Sequence, residues 1–168
     1  PRLDEARPPS EVLCLVDADS SQLEAIYSAE DGHSFVLEGP PGTGKSQTIT
    51  NLIAQMLGRG RSVLFVSEKQ CALNVVHHRL AQVGLGPFCL ELHSNKASKS
   101  ELLNQLRQTV QAGRSAPPRD WAPRSHQLAE LRQHLNDYCE AVHRPRALGL
   151  TVYQVIGELT HLGPGSRA

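Results

Sequence analysis

The 168 residues suffice for one domain or a domain and a half, and with 39% hydrophobic and 20% charged residues the chain can bury a core and is not generally disordered. Its 17 Lys and Arg balance 17 Asp and Glu, which excludes a strongly basic nucleic-acid-coating protein but not a local basic groove. Three Phe, three Tyr and one Trp are too few for a base-stacking platform, and no apolar run approaches the roughly 20 residues of a membrane helix.

Residues 1–10 are rich in Pro and Arg and read as a loose tail. The chain opens at Pro1 rather than Met and reads as an excised piece, so the lack of a signal peptide says nothing of targeting. Val12-Leu13-Cys14-Leu15-Val16 is apolar but too short to assign as strand or packed coil. Asp19-Ser20-Ser21-Gln22 has the pattern of a capping box, predicting a helix over 20–29 with Leu23 and Ile26 on one face.

Ser34-Phe35-Val36-Leu37-Glu38 predicts a strand that runs into a glycine-rich turn. A helix is expected over 45–57, where Ile49, Leu52, Ile53, Met56 and Leu57 recur at helical spacing, with Gly58 and Gly60 to stop it. Ser62–Ser67 predicts a second strand, a continuous apolar run suited to a sheet covered on both faces. The next helix presents Leu73, Val76, Leu80 and Val83 and stops at Gly84. Phe88–Leu92 predicts a third strand, followed by a helix over 98–111 with Leu102, Leu103, Leu106 and Val110 inward. Such alternation is the mark of a parallel α/β unit.

The pattern changes at Ala116-Pro117-Pro118. Over 124–143 the apolar residues Leu128, Leu131, Leu135, Tyr138 and Val142 step by three and four, the seam of a coiled coil or helical hairpin. This predicts a helix–helix partner through 124–143. Thr151 is placed to cap a last amphipathic segment carrying Val152, Val155, Ile156, Leu159 and Leu162.

The four cysteines, 14, 71, 89 and 139, lie too far apart for zinc-ribbon spacing. Cys14 and Cys89 sit in apolar runs and read as small buried hydrophobes, and a reducing cytoplasm is the simplest setting. The eight histidines are scattered, and His77-His78 occupies adjacent helix positions that face different ways.

One segment carries strong chemistry. Gly39-Pro40-Pro41-Gly42-Thr43-Gly44-Lys45-Ser46 fits G-x-x-x-x-G-K-S/T between a predicted strand and a predicted helix. The glycines allow the tight turn and bring backbone N–H groups around a β-phosphate, and the helix N-terminus adds favourable partial charge. Lys45 is placed to reach the β- and γ-phosphates, the Ser46 hydroxyl to ligate Mg²⁺, and Gln47 to line the same nucleotide site. ATP and Mg²⁺ are the expected cofactors.

With Ser21-Gln22 and Ala25-Ile26 upstream, this segment resembles the first RecA-like motor domain of superfamily 1 helicases of the Upf1-like type, in particular the AAA_11-type region of large bacterial helicase-like proteins. Val63-Leu64-Phe65-Val66-Ser67-Glu68-Lys69 resembles their motif Ia. The resemblance covers roughly residues 11–112. It implies an incomplete RecA-like P-loop NTPase fold, a parallel sheet with flanking helices, over 11–115, and a truncated helical, coiled-coil-like insertion over 116–168. It implies that Lys45 is catalytic and that Gln22 recognises adenine, whereas the capping box offers Gln22 a purely structural role. It places Ser67 and Lys69 on single-stranded DNA or RNA, with a solvated strand end as the alternative. His93, Ser94, Asn95, Lys96 and Lys99 would extend that track. The family's apolar strand ending in Asp-Glu is not found after Ser46, and Asp17 and Glu68 are weak substitutes. The second motor domain is also missing, so the remainder of the motor protein is an expected partner and the chain alone is expected to be inactive. The activity implied is ATP-driven movement on nucleic acid. The alternatives are an AAA+-type ATPase fragment, or a non-catalytic protein-interaction module holding a structural nucleotide.

Overall fold

The computed structural model describes residues 3–92, 99–112 and 118–162. Its elements are α1 (Leu3–Ala6), α2 (Ser20–Glu30), α3 (Lys45–Gly58), α4 (Gln70–Gln82), α5 (Lys99–Ala112), α6 (Trp121–His143) and α7 (Val152–Leu162), with 3-10 turns at Pro9–Glu11 and Gly86–Phe88. The chain divides into two compact units, one of Pro1–Arg7 with Glu11–Pro118 and one of Pro8–Ser10 with Arg119–Ala168.

The expected RecA-like parallel sheet is overturned: among the described residues there is no strand. Residues 34–38, 62–67 and 89–92 have no regular structure, and Phe88 belongs to the 3-10 turn, whose Cys89 N–H donates back to Gly86 O at 3.0 Å. A strand is stable only through its neighbours, because each carries half of every ladder bond. Here the apolar side chains that a doubly covered sheet would bury stay in solvent: Val36 is 82% exposed, Leu64 86% and Val66 76%. Phe65 alone of its run turns inward, against the helices.

Helix packing provides the core instead. Ile53 of α3 meets Val76 and Leu80 of α4, with Ile49, Leu57, Phe65, Leu85 and Cys89 packed around them. On the other side α3 packs on α2, whose Ala25, Ile26 and Tyr27 are buried. Lying between two helices, α3 is buried at Thr48, Thr50, Asn51, Ile53, Ala54, Gln55 and Met56. The helical spacing read for α3 and α4 therefore identifies the packed faces, but that of α5 does not: Leu103, Leu106 and Val110 are exposed.

The start of α2 is the predicted capping box. Asp19 Oδ1 accepts from the Gln22 N–H at 2.9 Å, and Gln22 Oε1 accepts from the Asp19 N–H at 3.3 Å. In the second unit α6 packs on α7, with the His143 and Tyr153 rings 5.0 Å apart. Thr151 and Gln154 make a second reciprocal cap, at 2.9 and 3.1 Å. The seam residues Leu128, Leu131, Leu135 and Tyr138 are exposed.

Cys14 and Cys89 are half-buried, not fully buried as expected, while Cys71 and Cys139 are exposed. Burial pushes both half-buried thiols upward in pKa, and at Cys89 the charge of Glu91 adds to it. The thiolate is the reactive form, so a thiol reagent at neutral pH should label Cys71 and Cys139 ahead of Cys14 and Cys89. Peptide mapping of a time course checks this; early labelling of Cys14 would show that its segment does not hold its place.

Candidate functional site

The turn from Gly39 to Gly44 delivers the chain into α3. Gly42 and Gly44 hold φ of 91° and 78°, the left-handed region that a side chain disfavours. Gly44 is the N-cap of α3 and no side chain caps the helix. On the first turn the Gln47 N–H donates to Gly44 O at 2.8 Å, and no side chain takes the N–H groups of Lys45 and Ser46 ahead of it, which makes a site for an anion. The Thr43 hydroxyl donates to Pro40 O at 2.9 Å, closing the loop on itself. The Lys45 ammonium donates to Gly39 O and, at 2.8 Å, to Pro40 O. A cation resting on two carbonyls of its own loop is poised for a stronger acceptor, and phosphate oxygens are one. Ser46 and Gln47 follow on the first turn, both half-buried.

Gln22 is held against this loop. Its Nε2 donates to Thr43 O at 3.2 Å while its Oε1 accepts from Asp19. The approach is close enough that a Cβ on Gly44 would lie 2.4 Å from Gln22 Nε2 and 2.9 Å from Gln47 Oε1. The structure therefore brings Gln22 together with residues 39–47, and it also shows Gln22 as a cap. One carboxamide meets both demands because its acceptor faces the cap and its donor faces the loop.

Ser67 and Lys69 sit elsewhere in the chain path, at the start of α4. The Ser67 hydroxyl accepts from the Lys69 N–H at 3.3 Å, and Lys69 is the exposed N-cap. Among the described residues no hydrogen bond or ion pair joins either to Gln22 or to residues 39–47. His93, Ser94, Asn95 and Lys96 lie outside the described residues, and Lys99 is exposed at the start of α5. Asp17 and Glu68 are exposed. His77 pairs with Glu91 at 2.9 Å, a structural role. Among the described residues no group of three His, Cys, Asp or Glu could hold a metal ion, and no helix is long and apolar enough to cross a membrane.

Two features escape the sequence reading. Asn51 and Gln55 are fully buried on α3 and bond the main chain of residues 11–16. Their signal is two amides four residues apart inside an apolar helical pattern. The second is an ionic cluster at the far end of α3. Glu30, 9% exposed, takes Arg59 Nε at 2.6 Å, Gln55 Nε2 at 2.9 Å and Arg7 Nε at 3.8 Å, and Arg59 also meets Glu11 at 2.9 Å. The hydrogen bond to Glu11 raises the Arg59 pKa further, burial opposes that, and the charge of Glu30 supports it. The cluster ties α2 to α3 at the end remote from the phosphate loop.

The AAA_11 family, described as an AAA domain, matches residues 17–144. The chain belongs to that family. The match runs from just before the α2 cap to the end of α6, so it spans both the Gln22 segment and the phosphate loop. Among curated relatives, an uncharacterised ATP-dependent helicase of Mycoplasma genitalium, MG140, is 56% identical over 62 residues, and its Mycoplasma pneumoniae homolog is 50% identical over 62. Each match covers 37% of this chain and only 6% of the relative. No solved structure matches the chain.

Proposed function

We propose that this AAA domain binds ATP at residues 39–47 and forms the nucleotide-binding part of an ATP-dependent helicase or translocase. Lys45 leaves the Gly39 and Pro40 carbonyls for the β- and γ-phosphates, and Gln22 reads adenine through the carboxamide it holds beside Thr43. Gly39, Pro40, Pro41, Gly42, Thr43 and Gly44 wrap the phosphates with main-chain N–H and shape, and Gln47 lines the wall next to Gln22. The Ser46 hydroxyl fits Mg²⁺, whose other ligands are phosphate oxygens and water, as suits an ion that keeps much of its hydration. The observation that carries the reading is the meeting of Gln22 with an uncapped, lysine-bearing helix N-terminus. The names of the two Mycoplasma relatives support the helicase assignment. Movement on single-stranded DNA or RNA, touched at Ser67 and Lys69, and completion of the hydrolytic site by the remainder of the protein belong to the same proposal.

The test compares ATP with GTP on the unaltered chain and on Gln22→Ala. Loss of a paired amide contact costs about 1–3 kcal/mol, so the substitution should lower ATP affinity and bring the two nucleotides together. An unchanged ATP/GTP ratio would leave Gln22 as a helix cap and no more.

The exposed Leu128, Leu131, Leu135 and Tyr138 seam favours a helix–helix partner for α6. Sedimentation at rising concentration should show self-association that Leu131→Asp with Leu135→Asp weakens. A monomer throughout would make the seam a solvated face.

A further inference from the structure

We propose that Asn51 and Gln55 are positioning residues for base recognition: by clasping residues 11–16 to α3, they fix Gln22 over the phosphate loop. The inference rests on the assignment of Gln22 and residues 39–47 made above.

Asn51 and Gln55 stand one helical turn apart on the same face of α3, and neither is exposed to solvent. Amides so buried are tolerated only when their hydrogen bonds are made. Asn51 Oδ1 accepts from the Leu15 N–H at 2.9 Å and the Val16 N–H at 3.1 Å, and its Nδ2 donates to Val16 O at 2.8 Å. Gln55 Oε1 accepts from the Leu13 N–H at 2.7 Å, and its Nε2 donates to Glu11 O at 2.9 Å. Two side chains thus give residues 11–16 the partners that a neighbouring strand would otherwise give. The fit extends to Gly58, where a Cβ would lie 2.2 Å from Leu13 Cδ1.

The clasped segment leads directly to the site. Three residues after Val16 comes Asp19, the N-cap of α2, and Gln22 is on the first turn. Gln22 then returns to Thr43, the residue before the N-cap of α3. The stretch 16–22 is therefore pinned to the α3 region at both ends, by Asn51 and by Thr43. Asn51 lies six residues from Lys45, about 9 Å along the helix. If the clasp slips, Gln22 moves relative to the phosphates while the loop itself keeps its own bonds. Coupling between the clasp and the base site is reciprocal, so a ligand that engages both Gln22 and the loop should tighten the clasp.

Amide hydrogen exchange on the unaltered chain tests this with ATP and with pyrophosphate, each with Mg²⁺. ATP should slow the Leu13, Leu15 and Val16 amides by about tenfold, within the range of typical coupling between sites. Pyrophosphate, which has no base, should slow residues 42–47 and leave those three unchanged. Asn51→Leu should then reduce the ATP/GTP preference about tenfold, the size of one buried hydrogen bond, without changing pyrophosphate affinity. Protection of 42–47 by ATP with none at 13–16 would overturn the clasp while leaving the ATP site standing. Equal weakening of pyrophosphate and ATP by Asn51→Leu would also overturn it, by showing general damage to α3. If Asn51→Leu does not fold, the exchange result on the unaltered chain decides. No protection of 42–47 by either ligand would sink the nucleotide site itself, and the clasp's role with it.

Discussion

Replacing Lys45 by alanine should weaken ATP binding by about 2–5 kcal/mol, the usual cost of removing one partner of a close charge pair in a desolvated contact. At 1.4 kcal/mol per tenfold this is roughly 30-fold to several thousand-fold in affinity. The size follows from where the ammonium stands. It is half-buried and spends its donors on Gly39 O and Pro40 O. Those two carbonyls are neutral acceptors, and triphosphate oxygens are charged ones at the same mouth, so the exchange favours the ligand. Helix α3 should survive the change, because its buried residues begin at Thr48 and Ala is the better helix former. Thermal unfolding of the variant should therefore stay close to that of the unaltered chain. Titration with a fluorescent ATP analogue and Mg²⁺ measures the affinity loss. Equal affinity in the two proteins would remove Lys45 from the site.

The local signals in this sequence are legible where the structure that they encode is local. The α2 cap needs only Asp19 and Gln22, three residues apart, and both of its bonds form. The spacing of Ile49, Ile53, Val76 and Leu80 needs only the helical period, and those residues meet in the core. The expected strands fail for the opposite reason. Apolar runs such as 62–67 report what a segment would gain from neighbours on both sides, not whether those neighbours are present. Among the described residues none pairs with them, and Leu64 and Val66 face solvent. The exposure of Leu103, Leu106 and Val110 on α5 is the same lesson at a helix: period identifies a face, and packing needs a second one. In the site itself, the loop pattern places Lys45 and Ser46, but the meeting of Gln22 with Thr43 spans 21 residues and has no sequence period to announce it. Asn51 and Gln55 read as ordinary polar helix positions until the segment that they hold is seen beside them.

The two left-handed glycines of the loop should differ sharply when changed to alanine, and the difference measures how tightly Gln22 is seated. Gly42 and Gly44 share a positive φ, 91° and 78°. Alanine at either costs about 1–2 kcal/mol from backbone strain alone. At Gly42 nothing lies within 4 Å of the added Cβ, so strain should be the whole effect. At Gly44 the Cβ would stand 2.4 Å from Gln22 Nε2 and 2.9 Å from Gln47 Oε1, closer than real atoms approach. The nearest atom is the end of a flexible side chain, so the protein should fold and Gln22 should give way. Its bond to Thr43 O is then lost, and the reciprocal bond to Asp19 N–H is pulled with it. Gly44→Ala should accordingly cost about 1 kcal/mol more than Gly42→Ala in urea unfolding, the net worth of one hydrogen bond. In binding the contrast should be larger. Gly42→Ala should weaken ATP and GTP alike through the phosphate loop, whereas Gly44→Ala should also erase the preference for ATP, the result expected of Gln22→Ala. Loss of that preference in Gly44→Ala with Gln22 otherwise unaltered would show that the loop and the base contact are one device. Retention of it would mean that Gln22 reads adenine from a position independent of Thr43.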